Sequence, residues 1–168
     1  MEIIIVAHNI RSTYNIGSIM RTADGFGVRS MILTGYTPYP MQTNDTRLPH
    51  IRDKITRQIH KTALGAEDMV SHEYSEELEP VLFRLKNEGY QLIALEQDEK
   101  ATLLPHSSFT QKIALLLGEE VQGIDRSVLA LCDAIIEIPM QGGKESFNVS
   151  VATGIALYEL AVGRINRS

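Results

Sequence analysis

The sequence has a single cysteine in 168 residues, Cys132. No internal disulfide framework is possible, which fits a reducing compartment. Cys132 lies in LALCDA beside Leu129 and Leu131 and reads as a small buried apolar residue. Long apolar runs are also missing. Residues 3–6 are apolar, but His8 and Asn9 cut the run short, so no secretory leader is expected. No window approaches the roughly 20 apolar residues of a membrane span. There is no repeat, no low-complexity tract and no linker long enough to divide domains. No His, Cys and carboxylate spacing suits a metal. No glycine-rich fingerprint follows the first strand, which excludes a dinucleotide-binding module. One soluble, cytoplasmic domain over residues 1–168, without metal or membrane partner, is expected.

The composition is that of an ordinary globular chain, 43% hydrophobic and 22% charged, long enough to bury a core unaided. The net charge is −5, from 16 basic and 21 acidic residues, and such an average argues against nucleic acid as a partner. The average hides a segregation. Arg47, Arg52, Lys54, Arg57 and Lys61 crowd one segment, with His50 and His60 among them. Glu67, Asp68, Glu73, Glu76, Glu77 and Glu79 crowd the next. The basic run is either a solvated helix face or a binding surface.

Apolar runs alternate with helical patterns. Residues 2–7, 30–35, 90–96, 112–118 and 134–139 read as buried strands, with a shorter strand around 69–72. Residues 15–27 read as a helix with Ile16, Ile19, Met20 and Ala23 on one face, stopped by Gly25 and Gly27. Further helices are expected from about Ile51, over 76–87 behind a Ser75 cap, over 126–133, and from Ser146 through Ile165. A Pro-bearing loop fills 37–49. Continuous apolar strands alternating with helices predict an α/β protein with a parallel sheet covered on both faces. Ligands in such sheets bind beyond the carboxyl ends of the strands.

Three segments carry candidate chemistry. In residues 8–27, Asn15 and Arg21 stand nearly two helical turns apart, Gly17 lets another backbone approach, and Asn9 and Arg11 occupy the preceding loop. In residues 115–125, a buried strand ends at Gly118, and Glu119 and Glu120 follow at once; Gly123 allows a turn, and Asp125 is placed to cap the next helix. In residues 136–160, a strand stops at Pro139, a GGK loop follows, and Ser146, Asn148 and Ser150 crowd a helix start whose free amides suit an anion. Ser146 reads as an N-cap. Asn148, a poor helix former in the first turn, reads as having a task for its side chain.

Together these segments resemble the SpoU class of the SPOUT RNA methyltransferases, over nearly the whole chain. The first family motif is matched by Asn15, Gly17 and Arg21. The second, G-x-E-x-x-G after a strand, is matched by Gly118, Glu120 and Gly123. The third, I-P-M followed by S-x-N-V-S-x-A, is matched from Ile138 through Ala152. The resemblance implies an α/β-knot fold with a deep C-terminal trefoil knot, and S-adenosylmethionine held in that knot. It places the cofactor among Leu95, Gly118, Ile138, Met140, Ser146 and Phe147. It assigns Arg21 to the ribose 2′-hydroxyl, as a transiently neutral base or as a cation stabilising the alkoxide. Asn15, Glu120, Ser146 and Asn148 complete the implied catalytic set. Asn9, Arg11, Arg52, Arg57 and Lys61 become the expected RNA contacts, tRNA or rRNA the substrate, and a homodimer through the first and last helices the expected assembly. The alternatives are a related enzyme methylating a base nitrogen, against which the Asn15/Arg21 pair argues, and a non-catalytic RNA-binding relative, against which the retained motif residues argue.

Overall fold

In a computed structural model, residues 1–106 and 109–162 are described. The strands are β1 (Glu2–His8), β2 (Ser30–Thr34), β3 (Ser71–Ser75), β4 (Gln91–Leu95), β5 (Thr102–Leu103), β6 (Lys112–Leu117) and β7 (Ala134–Glu137). The helices are α1 (Thr13–Gly25), α2 (Pro49–Ala63), α3 (Ala66–Met69), α4 (Glu79–Asn87), α5 (Arg126–Leu129) and α6 (Val149–Ala161). All seven strands join one sheet in the order β3-β2-β1-β6-β4-β7-β5, and every pairing is parallel. A parallel sheet must be buried on both faces, because its crossovers lay helices over each.

The period-two alternation of β1 divides the core. Ile3, Ile5 and Ala7 pack with Ile16, Ile19 and Met20 of α1, Ile59 of α2, and Ala156 and Leu157 of α6. Val6 faces the other way, toward Val81, Leu82 and Leu85 of α4 and Val128 and Leu129 of α5. The helix α1 begins where Ser12 accepts from the Asn15 amide at 3.2 Å and ends before Gly27, whose φ is +72°. Among the described residues, no helix is long and apolar enough to cross a membrane.

Several boundaries differ from the sequence reading, each for a local reason. The strand expected at 69–72 runs Ser71–Ser75; its SHEYS sequence lies at the sheet edge, where no apolar pattern marks register. Ser75 therefore ends a strand and does not cap α4. That helix starts at Glu79, with Pro80 in its first turn supplying a pre-set φ. The helix read over 126–133 stops at Leu129, and Asp125 precedes it without a capping hydrogen bond from its side chain. The last helix begins at Val149 with Asn148, not Ser146, as its cap. Its expected extension over 163–165 lies outside the described residues. The two-residue β5 is too short and too exposed to carry an apolar period. Cys132 is half-buried, and burial, then the charge of Asp133, pushes its thiol up to about 11.

Gly17 fixes the packing of α2 on α1. A Cβ there would stand 2.3 Å from the Ile59 carbonyl oxygen and 2.2 Å from Thr62 Oγ1. Alanine favours a helix over glycine by about 1 kcal/mol. The clash outweighs this, because a backbone carbonyl cannot rotate aside. Overpacking ordinarily costs about 1–3 kcal/mol, so Gly17→Ala is expected to cost a net of up to about 2 kcal/mol in urea unfolding. A midpoint equal to or above the wild type would show that α2 moves away from α1 at no cost.

Candidate functional site

The neighbouring strands β6, β4 and β7 end side by side, and their carboxyl ends open onto a cavity of about 500 Å³. All six residues expected to hold a cofactor line it: Leu95, Gly118, Ile138, Met140, Ser146 and Phe147. Glu120 and Asn148 line it too. Two glycines shape its floor. A Cβ on Gly118 would stand 2.8 Å from the Gly123 carbonyl, and Gly123 holds φ at +71° in a turn closed by its amide on the Glu119 carbonyl at 3.0 Å. Glu96 was not anticipated. Its Oε2 accepts from the Ile124 amide and its Oε1 from the Gln97 amide, both at 2.9 Å, so one carboxylate ties the end of β4 to the turn after β6. Its signal in the sequence is only an acidic residue directly after a buried strand. Glu119, Glu137 and Glu145 add further carboxylates to a lining that also has an apolar part, made by Leu95, Leu117, Ile138 and Phe147.

At the mouth of this cavity the three sequence segments meet through side chains. Asn148 Nδ2 donates to Asn15 Oδ1 at 3.2 Å, and Asn15 Nδ2 donates to Glu120 Oε1 at 3.0 Å. Glu120 also accepts from the backbone amides of Arg11 at 3.2 Å and Ser12 at 3.4 Å. Asn148 in turn caps α6, its Oδ1 accepting from the Ser150 amide at 2.9 Å and hydroxyl at 2.6 Å. Burial pushes the Glu120 carboxyl up. The hydrogen bonds from Asn15 and from the Arg11 and Ser12 amides more than offset this and hold it below its ordinary value. Glu120 is thus a carboxylate at neutral pH with its oxygens already engaged, suited to orienting neighbours and not to collecting a proton.

The other expected residues are placed less uniformly. Arg21 is exposed on α1, lines no part of this cavity and forms no hydrogen bond or ion pair among the described residues. Asn9, in the left-handed region at φ +57°, accepts from the Tyr36 amide at 3.2 Å. The Arg11 guanidinium contacts Glu119 Oε1 at 2.7 Å, out of line for a hydrogen bond, and that buried oxygen has no hydrogen-bond partner among the described residues. Contact with Tyr36, then the charge of Glu119, pushes the Arg11 pKa up. In the basic segment, Arg47 turns inward, 3.6 Å above the Tyr39 ring and 2.5 Å from the buried Asp45. Arg52 pairs with Asp53 at 2.8 Å. Lys54, Arg57 and Lys61 recur at helical spacing on the exposed side of α2. Among the described residues, no cluster of His, Cys, Asp and Glu is arranged to hold a metal ion.

The model of the SpoU rRNA Methylase family matches residues 2–158. The chain belongs to that family. It is similar to the 23S rRNA (guanosine-2'-O-)-methyltransferase RlmB of Coxiella burnetii, 30% identical over 94% of this chain and 57% of the relative. It is likewise similar to the tRNA (guanosine(18)-2'-O)-methyltransferase of Aquifex aeolicus, 31% identical over 94% of this chain and 68% of the relative. The chain thus spans a little over half to two thirds of the length of these relatives. The SpoU methyltransferase AviRb from Streptomyces viridochromogenes, solved in complex with AdoMet, shares the fold with a TM-score of 0.79, at 24% identity over 98% of this chain and 58% of that one.

The network makes its own pH signature. The folded-state pKa of Glu120 lies below the ordinary 4.5. Its stabilisation is therefore fully present above that value and is lost as pH falls through the depressed one. The difference in melting temperature between wild type and Glu120→Gln is expected to stay constant from neutral pH down to about pH 5, then shrink. A difference that grows on acidification would contradict the hydrogen-bond assignment.

Proposed function

We propose that this chain transfers a methyl group from S-adenosylmethionine to a ribose 2′-hydroxyl of tRNA or rRNA, acting as a single methyltransferase domain in the cytoplasm. The observation that carries this reading is the Asn148–Asn15–Glu120 chain at the mouth of the strand-end cavity. The relatives support both substrate classes, one named for 23S rRNA and one for tRNA.

The cavity suits the cofactor. Its volume of about 500 Å³ is within the usual range for a small-molecule site. Its apolar wall can receive an adenine, and its carboxylates favour a cationic ligand. When bound, S-adenosylmethionine supplies a methyl made electrophilic by its sulfonium. The protein's part is alignment. Leu95, Gly118, Ile138, Met140, Ser146 and Phe147 hold the ligand, and Asn15, Glu120 and Asn148 orient the approaching nucleotide.

Arg21 acts on the 2′-hydroxyl. A guanidinium keeps its proton in ordinary surroundings, so the reading favoured is a cation that stabilises the developing alkoxide. Since Arg21 lines no part of its own cavity, we assign it to the site of a second copy. An apolar groove between α1 and α6, lined by Phe26, Val151, Gly154, Ile155 and Tyr158, supports a homodimer through these helices. Val151 and Tyr158 are about half exposed there, at 50% and 54%. The exposed Arg57 and Lys61, which have no partner among the described residues, form the proposed RNA surface with Arg11 and Asn9, and Arg52 joins them with part of its charge already neutralised by Asp53. We further infer that the C-terminal segment is knotted. The family match supports this, and the cavity loops lie in contact: Gln97 Nε2 donates to the Glu145 carbonyl, and Glu96 accepts from the Ile124 amide.

Arg21→Ala is expected to abolish methyl transfer while calorimetric affinity for S-adenosylmethionine stays within about tenfold, or roughly 1.4 kcal/mol. Arg21→Lys is expected to be nearly inactive as well, because an ammonium does not reproduce the planar fork. Near-normal turnover by Arg21→Lys would sink the arginine mechanism.

A further inference from the structure

The loop following β2 carries an aromatic ring that the fold does not use. Tyr36 is 54% exposed. Its backbone is pinned on both sides. Its amide donates to Asn9 Oδ1 at 3.2 Å, and the preceding Gly35 donates its amide to the Ser75 carbonyl at 3.2 Å. The Gly35 carbonyl accepts from the Tyr74 hydroxyl at 2.7 Å. The next residue, Thr37, is buried, and its hydroxyl accepts from the Ile10 amide at 3.1 Å. Gly35 itself holds φ at +65°, and a Cβ there would stand 1.9 Å from Asn9 Oδ1. The loop is therefore rigid at its backbone, yet it directs a large ring toward solvent.

A second feature is the open geometry of a cationic neighbour, Arg11. The Arg11 guanidinium carbon lies 5.9 Å from the Tyr36 ring centroid, against 3.6 Å for the closed Arg47–Tyr39 stack. The Arg47–Tyr39 stack is filled, continuing into Tyr74 at 4.2 Å between ring centroids, and is structural. The Arg11–Tyr36 pair leaves the ring accessible. Arg11 is also the residue whose backbone amide binds Glu120. The ring is thereby coupled through one residue to the Asn15–Glu120 network.

We infer that Tyr36, flanked by Arg11, is a stacking platform for an unpaired nucleobase of the RNA, placed beside the nucleotide whose ribose is methylated. This rests on the ribose methyltransferase reading for the identity of the RNA. The physical basis is general. Single-stranded RNA is recognised by bases that leave their own stack and lie on aromatic rings or guanidinium planes. Each such contact contributes enough for a 5- to 150-fold or so change in affinity on removal, and does so for any base. A rigid backbone beneath the ring lowers the ordering cost of forming the stack.

The test uses Tyr36→Ala and Tyr36→Phe in the full chain, with two probes. One is bulk tRNA and rRNA from a strain deleted for the gene. The other is a uridine oligoribonucleotide carrying one 2-aminopurine. Tyr36→Ala is expected to raise the Michaelis constant for bulk RNA roughly 5- to 150-fold. It should leave the salt slope of binding unchanged, since no phosphate contact is removed. Wild type and Tyr36→Phe should quench 2-aminopurine fluorescence on binding, and Tyr36→Ala should not. Calorimetry with S-adenosylmethionine and the melting temperature should be equal in all three. Wild-type protein that binds RNA without quenching, or Tyr36→Ala that binds RNA like wild type, overturns the platform and leaves the methyltransferase reading standing. Wild-type protein that binds S-adenosylmethionine but takes up no RNA overturns both.

Discussion

A primary amide has one accepting oxygen and one donating nitrogen, and Asn15 uses each on a different segment of the chain. Its oxygen takes the amide proton of Asn148, and its nitrogen gives one to Glu120. Glu120 is acceptor-only as a carboxylate, so the direction of every bond in the row is set by its far end. Asn148 is at the same time the cap of α6. The start of the last helix, the start of the first helix and the turn after β6 are therefore held in one register by three side chains. An aspartate in place of Asn15 would set two carboxylates against each other and remove the side-chain donor to Glu120.

The rest of the fold serves to bring those three starts together. In an all-parallel sheet the carboxyl ends of the strands lie along one edge, and the crossovers begin there. Placing β6 between β1 and β4 brings the turn after β6 beside the loop after β1. Gly118 and Gly123 let that turn fold flat against itself, and Glu96 fastens it to β4. Gly17 lets α2 lie close on α1, which sets where the exposed Lys54, Arg57 and Lys61 of α2 face solvent.

Much of this was legible in the residues. The apolar strands and the α1 face were marked by their periods, and Gly17 by its place in a helix where only a close approach explains it. The three motif segments announced a site because their polar residues lie where a strand or helix ends. What was not legible depended on partners distant in sequence. Asn148 was read as having a task, but its double role as cap and link needs Asn15, 133 residues away. Arg47 counted as a surface cation until Asp45 and Tyr39 turned it inward. The edge strand β3 has Tyr74 as its single large apolar side chain, and one ring does not mark a register in the sequence. Glu96 and Tyr36 belong to no motif. Their environments, a turn that needs an acceptor and a loop pinned at its backbone, exist only in the folded chain.

The central claim is that this arrangement presents a ribose 2′-oxygen, and not a base nitrogen, to the cofactor. A methyl on the 2′-oxygen removes the nucleophile that alkali uses to cleave the adjacent phosphodiester. RNA from a strain lacking the gene can be incubated with the protein and S-adenosylmethionine labelled in its methyl group, then hydrolysed in alkali. The account predicts that the label appears in alkali-resistant dinucleotides. Label recovered in mononucleotides would place the methyl on a base and contradict it.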